Sequence, residues 1–228
     1  MKRLFSAYEY AGPAILTPLA IWLWWRHYDG NAALAALAVG GPVVHAYAVP
    51  GIGTNVLRMW AFNTRLKLGR FRPHHGFLFG TATAMLALPF AGTPLGTPDT
   101  AAAWRAGLVI GLVLLAVNWV YDALAIRSGV LEVYNQPAAD GASPWQVAGD
   151  YVFWFFGLFG LLYGAGLKLA EPVLRADANP LTALLIGAAM VAATAIIPSA
   201  GYVAASMLRH GHNGLRPVRN PAKEARSA

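Results

Sequence analysis

Six long apolar stretches constrain this chain more than any other feature. A helix needs about 20 consecutive apolar residues to cross the hydrocarbon core of a bilayer. Stretches of about that length fall at residues 10–25, 32–49, 76–91, 104–126, 147–169 and 181–208. Charge is scarce: 12% of the 228 residues are charged, about half the roughly 25% of a soluble domain. The mean hydropathy is +0.48. This composition excludes a disordered chain and an ordinary soluble enzyme. No strand-like alternation of useful length occurs, so a β-barrel has no support. The expected fold is an all-α, polytopic membrane helix bundle of about six transmembrane helices. Residues 1–209 form one transmembrane domain, and residues 210–228 a basic, flexible tail.

The absence of cysteine removes disulfide scaffolds, thiolate metal sites and cysteine nucleophiles. The net charge of +7 invites a nucleic-acid reading, but the basic residues flank apolar segments and no soluble module is left to hold a groove-binding element. Orientation explains the charge more simply. With six spans and the N-terminus inside, one side collects 13 of the 17 Lys and Arg, among them Lys2, Arg3, Arg58, Arg65, Lys67, Arg70, Arg72, Arg127 and Arg209. The other side has Arg26, Arg105, Lys168 and Arg175. Both termini are therefore expected in the cytoplasm, in a bacterial-type inner membrane. The first span, long and Trp-rich, does not read as a cleavable signal peptide. The outer loops, 92–100 and 171–180, look plain. The inner loops, 51–75 and 127–146, are chemically richer, so a site is expected on the cytoplasmic side.

Ionisable groups in a span are costly and point to function. Asp122 ends the fourth span, and Asn118 shares its helix face at a spacing of four. Asp150 opens the fifth, followed by Tyr151 and the aromatic run 153–156 that includes Trp154. The loop between them carries Arg127, Glu132, Tyr134 and Asn135. Two carboxylic acids beside an aromatic wall suit proton chemistry, because burial favours the protonated, donating form. The structural alternatives are that Asp150 faces a helix dipole and that Asp122 pairs with Arg127. His45, with His74 and His75, admits a bis-histidine haem reading. The preferred reading is an interfacial pair plus one hydrogen-bonded helix histidine, and no metal site is expected. In the loop 51–75, Arg58 and Arg65 could contact a phosphate or lipid headgroup, or simply set topology. His210 and His212, in the tail, are given no role.

The stretch Asp122-Ala-Leu-Ala-Ile-Arg-Ser-Gly129, followed by Val133-Tyr134-Asn135 and by Gly149-Asp150-Tyr151 running into Phe153-Trp154-Phe155-Phe156, resembles the repeat of the integral-membrane lycopene cyclases and related carotenoid hydratases. The likeness covers about residues 118–157. It departs from the family where a Pro-x-Glu-Glu helix start is replaced by the single acid Asp150, and where Val130 and Leu131 stand in place of a bulky aromatic. The first half of the chain shows no clear second copy. The Asn118-x-x-x-Asp122 spacing is also similar to one motif of the UbiA-type prenyltransferases, whose second Asp-rich motif is absent. The cyclase resemblance implies a membrane enzyme acting on a long apolar isoprenoid such as a carotenoid. A carboxylic acid would protonate a terminal double bond, and ring closure or hydration would follow. It implies Asp150 as donor and Asp122 as its partner. Asn118, Tyr121, Arg127, Glu132, Tyr134, Tyr151 and Trp154 would bind and orient. No organic cofactor is implied, and a second membrane chain could complete the site. The alternatives are a non-enzymatic membrane subunit, assembly factor or small transporter, and a haem-binding subunit.

Overall fold

The computed structural model describes residues 2–177 and 179–218, with side chains from residue 7 onward. Helices form where the apolar stretches lie, and their ends follow local capping chemistry. The first helix is α1 (Lys2–His27). Asn31 then caps α2 (Ala32–Gly51), its side chain accepting from Leu34 N. A π-helical turn (Ile52–Val56) continues α2. A second π-turn (Gly76–Gly80) leads into the short α3 (Thr81–Ala87). Asp99 caps α4 (Thr100–Arg127) by accepting from Ala102 N. Two short helices, α5 (Gln136–Ala139) and α6 (Pro144–Gly149), precede a third π-turn (Phe153–Leu158) and α7 (Phe159–Ala176). Ser143 and Gln146 form a reciprocal capping box at α6. Asn179 and Pro180 start α8 (Pro180–His210), which Gly211 ends at φ +74°.

Among the described residues four segments are long and apolar enough to cross a membrane: Ala32–Val56, Thr100–Arg127, Phe153–Ala176 and Pro180–His210. The segment Gly76–Phe90 is apolar but shorter. The packing core joins Trp24 and Tyr28 of α1, Leu34 and Ala38 of α2, Ile110 and Leu114 of α4, and Phe159, Tyr163 and Leu167 of α7. The closest pair is α4 with α7. A Cβ on Gly160 would lie 2.8 Å from the Gly111 Cα, and one on Gly164 would lie 2.9 Å from the Gly107 Cα. Small residues four apart let the two backbones touch, the usual basis of tight helix packing in lipid.

Sequence patterning missed a two-stranded antiparallel ribbon, β1 (Trp60–Phe62) and β2 (Leu131–Val133), paired Trp60 to Val133, Ala61 to Glu132 and Phe62 to Leu131. Strands of three residues are too short to show alternation. The elements flanking the two strands follow a similar order. In each half a long helix ends and a residue takes positive φ (Arg58 at +60°, Gly129 at +71°). Two residues later a three-residue strand begins, and after a loop comes a π-turn that contains Phe79-Gly80 or Phe156-Gly157. The pairing is symmetric about Ala61 and Glu132. It is extended by two equivalent backbone bonds, Asn63 N to Val130 O and Tyr134 N to Met59 O, both 2.9 Å.

The end of the bundle opposite the ribbon is less plain than its sequence. Helix α7 runs through Glu171, which is fully buried. Its carboxylate accepts from Lys168 Nζ at 2.7 Å, Leu95 N at 2.6 Å and Tyr28 Oη at 3.1 Å. Lys168 also donates to Thr93 O at 2.7 Å. The polar link expected from residue 171 onward is thus partly a buried ion pair, which pins the loop before α4. At the ribbon end, residues 211–218 do not hang free: His212 lies 3.2 Å from Gln136 Oε1, and Val218 N donates to Tyr134 O at 2.8 Å. The rest of the expected tail, residues 219–228, lies outside the described residues.

Substituting Gly164 by Val forces a branched side chain into the α4–α7 contact. Overpacking of this kind costs about 1–3 kcal/mol, so the thermal midpoint of the detergent-solubilised protein should fall by several degrees. An unchanged midpoint in a thermal-shift assay would show that the two helices do not pack through these glycines.

Candidate functional site

The long helices deliver their polar ends to a layer beneath the ribbon, where two buried clusters lie side by side. The first is built on Asp122, near the end of α4 and 4% exposed. Tyr151, between α6 and the third π-turn, donates its phenol to Asp122 Oδ2 at 2.7 Å. Among the described residues Asp122 makes no salt bridge. Arg127, one helical turn on, is exposed and does not pair with it. Asn118 is buried, but its amide donates to Leu114 O of its own helix at 2.8 Å. The shared face expected from the sequence therefore does not become a shared bond.

Asp150 is also buried, at 5% exposure, but in different company. Arg209 Nη1 and His210 Nε2 both lie 3.1 Å from its Oδ1. Asn135 donates to Oδ2 at 3.1 Å and Tyr202 at 3.4 Å. Arg209 and His210 come from the last turn of α8, so the carboxylate ties the end of that helix to the start of the fifth apolar segment. His210, given no role in the sequence, is a direct partner of the strongest sequence candidate.

The second cluster surrounds Arg72, which the sequence offered only as one of several topological charges. It is 2% exposed. Its guanidinium sits over the ring of Phe62 at 4.2 Å and of Phe79 at 5.3 Å, and it donates a side-chain hydrogen bond to Tyr121. Tyr121 in turn meets Phe79 edge-on at 5.4 Å and Tyr8 at 6.3 Å. His75 packs against Phe62, Phe71 and Phe79 with ring centroids 4.5–5.0 Å apart. Burial, aided by the Arg72 charge, pushes its imidazole well below the usual 6.5. Tyr121 links the clusters, since it takes the Arg72 hydrogen bond and is the neighbour of Asp122 on α4.

The remaining sequence candidates lie apart. Glu132 is on the ribbon's exposed surface, accepting from Asn63 Nδ2 at 2.7 Å and Tyr134 Oη at 2.6 Å. Arg70 stacks on Tyr134 at 5.0 Å. Arg58 and Arg65 are exposed. Trp154 packs over Gly201 of α8 and edge-on to Phe153 at 4.9 Å. His45 lies 3.2 Å from the Thr194 hydroxyl and its ring is 4.2 Å from that of Phe159. Among the described residues there is no group of three His, Asp or Glu placed to hold a metal. No protein-family model, no curated protein and no solved structure matches the chain.

The Glu132 contacts have a pH consequence. The donated hydrogen bonds of Tyr134 and Asn63 favour its charged form and hold its carboxyl below the ordinary 4.5. Their stabilisation is present in full above the unfolded-state value and is lost as pH falls through the lower folded-state value. Wild type should therefore be more heat-stable than Glu132→Gln at pH 7, and the gap should narrow as the pH falls below the ordinary 4.5. A gap that stays constant as the pH falls would show that the carboxylate charge does not secure the ribbon.

Proposed function

We propose that this chain is a multi-pass membrane enzyme that protonates a double bond of a long apolar isoprenoid, with Asp122 as the acid. The observation that carries the reading is the buried Asp122–Tyr151 pair. An acid that donates to carbon works best without a directly paired cation, and among the described residues the hydrogen bond shown for the Asp122 carboxyl is from a neutral phenol, with no salt bridge. Asp150, which sequence reasoning favoured as donor, is instead bound to Arg209 and His210. We assign it a positioning role, holding Tyr202 and the end of α8 beside Tyr151. The similar order of elements flanking the two strands supports the resemblance to the cyclase repeat.

The chemistry is a redox-neutral acid-catalysed addition. The Asp122 carboxyl hydrogen moves to the less substituted carbon of the terminal double bond; the π electrons form the new C–H bond and the O–H pair stays on the carboxylate. The resulting tertiary cation is captured by a neighbouring double bond or by water, and in either case one proton is lost and returns to the Asp122 carboxylate. Phenyl and phenol faces stabilise such a cation. Tyr151 and Phe156 pack with Ala123, next to Asp122, whereas Phe62 and Phe79 already carry the protein's own Arg72. We place the chain in a bacterial-type inner membrane with six crossings and both termini cytoplasmic. The gathering of Arg58, Arg65, Lys67, Arg70 and Arg127 around the ribbon end supports this orientation. A second reading, a non-enzymatic subunit, draws on α8, of whose apolar window only 11% is buried, leaving a face for lipid or another chain.

In a lycopene-producing bacterium, expression of the wild-type chain should yield a cyclised or hydrated carotenoid, read by chromatography and mass spectrometry. Asp122→Asn should lower the yield by about 100-fold or more at an unchanged membrane level. Asp150→Asn should retain measurable product. Wild-type yield from Asp122→Asn would remove Asp122 as the acid, and no new carotenoid from wild type would remove this substrate class.

A further inference from the structure

A groove of about 560 Å³ runs along α1, and neither Asp122 nor Asp150 lines it. Tyr10, Pro13, Ala14, Thr17 and Pro18 of α1 form one wall, and Phe77 and His74 the other. Helix α1 is fixed there by Tyr8, which donates to Leu78 O at 3.2 Å, and by a Thr17–Thr81 hydroxyl contact at 3.1 Å. The volume falls in the range of about 300–1,000 Å³ typical of small-molecule sites.

The groove is apolar along its length and rich in acceptors at defined points. Glu9 lines one end and is 5% exposed. Its Oε1 is held only loosely, in an ion-pair contact with His74 Nε2 at 3.4 Å, so a better-placed donor strengthens its hydrogen bonding. Two prolines inside α1 add to this. Pro13 has no N–H for the carbonyl of Glu9, and Pro18 has none for the carbonyl of Ala14. Both carbonyls belong to groove-lining residues, about 7–8 Å apart along the helix. Acceptors of this kind are costly next to hydrocarbon unless a donor reaches them. Arg72 already acts electrostatically on Glu9, so a donor without charge completes the site better than a second cation.

We propose that this groove binds a single-chain apolar alcohol from the membrane, its hydroxyl donating to the Glu9 carboxylate and its chain lying along Pro13–Pro18 beside Phe77. The shared chemistry covers branched isoprenoid alcohols and straight fatty alcohols.

The test uses the full chain in lipid nanodiscs and a geranylgeraniol analogue carrying a photoreactive diazirine, with labelled peptides mapped by mass spectrometry. Labelling should concentrate on residues 9–18 and 74–77. Excess geranylgeraniol should reduce it fivefold or more, and the saturated hydrocarbon phytane should not. Competition by oleyl alcohol equal to that by geranylgeraniol would assign the site to alcohols in general, and weaker competition to branched ones. Glu9→Leu should abolish the preference for alcohol over hydrocarbon. Ala14→Trp, which alters an exposed lining position and leaves Glu9 intact, should block labelling and decides the matter if Glu9→Leu does not fold. Labelling spread evenly over the lipid-facing helices, equal competition by phytane, or full labelling of Ala14→Trp would overturn the proposal.

Discussion

Backbone amides and carbonyls at the edge of an apolar layer must find partners, and the pairing of Trp60–Phe62 with Leu131–Val133 meets that demand for both long loops at once. An isolated two-stranded ribbon is at best marginally stable in water. Here it is seated on Ala125, Ile126 and Tyr121 of α4 through Phe62 and Leu131. Phe62, on the ribbon, supplies the ring over which Arg72 lies. The strand pairing therefore positions the buried cation, and through Tyr121 the environment of the helix that carries Asp122.

The polar layer under the ribbon divides its charges. Burying a guanidinium is expensive unless it is compensated. Arg72 gains two aromatic faces, each contributing about 0.5–2 kcal/mol, and a phenol oxygen. Asp150 follows a different solution, with two cationic side chains and two neutral donors. Asp122 receives only one phenol hydrogen bond. Three ionisable groups in one layer thus have three kinds of partner, and Asp122 is the least compensated of them. The pair Lys168–Glu171 at the far end shows the contrast: fully buried and fully hydrogen-bonded, it serves as a fastener.

Much of the frame was legible in the sequence, because apolar length and helix caps are local signals. Residues 32–49 and 104–126 mark the cores of helices that the structure gives as Ala32–Gly51 and Thr100–Arg127. Asp122 and Asp150 stood out because carboxylates are rare in apolar runs. Their partners were not legible. Arg209 and His210 reach Asp150 across some 60 residues of chain, a separation no spacing rule encodes. Asn118 misled for the opposite reason: a helix face is shared by residues four apart, yet an amide can still turn back to its own carbonyl ladder. Arg72 was hidden among five basic residues of one loop, and only its burial distinguishes it. The ribbon escaped because three residues hold too little pattern.

The similar order of elements flanking the two strands bears on how the ends of the chain are held. Counting back from the shared Phe-Gly of the two π-turns, Pro73 stands where Asp150 does, and His74 where Tyr151 does. One half retains an acid that latches the C-terminal helix; the other has a rigid imino acid there, and its adjacent histidine faces Glu9 of the N-terminal helix. Each half thus grips one of the two terminal helices, α1 or α8, by different chemistry on a similar order of elements. Each end of the chain therefore has its own fastening, so loosening one terminal helix need not release the other.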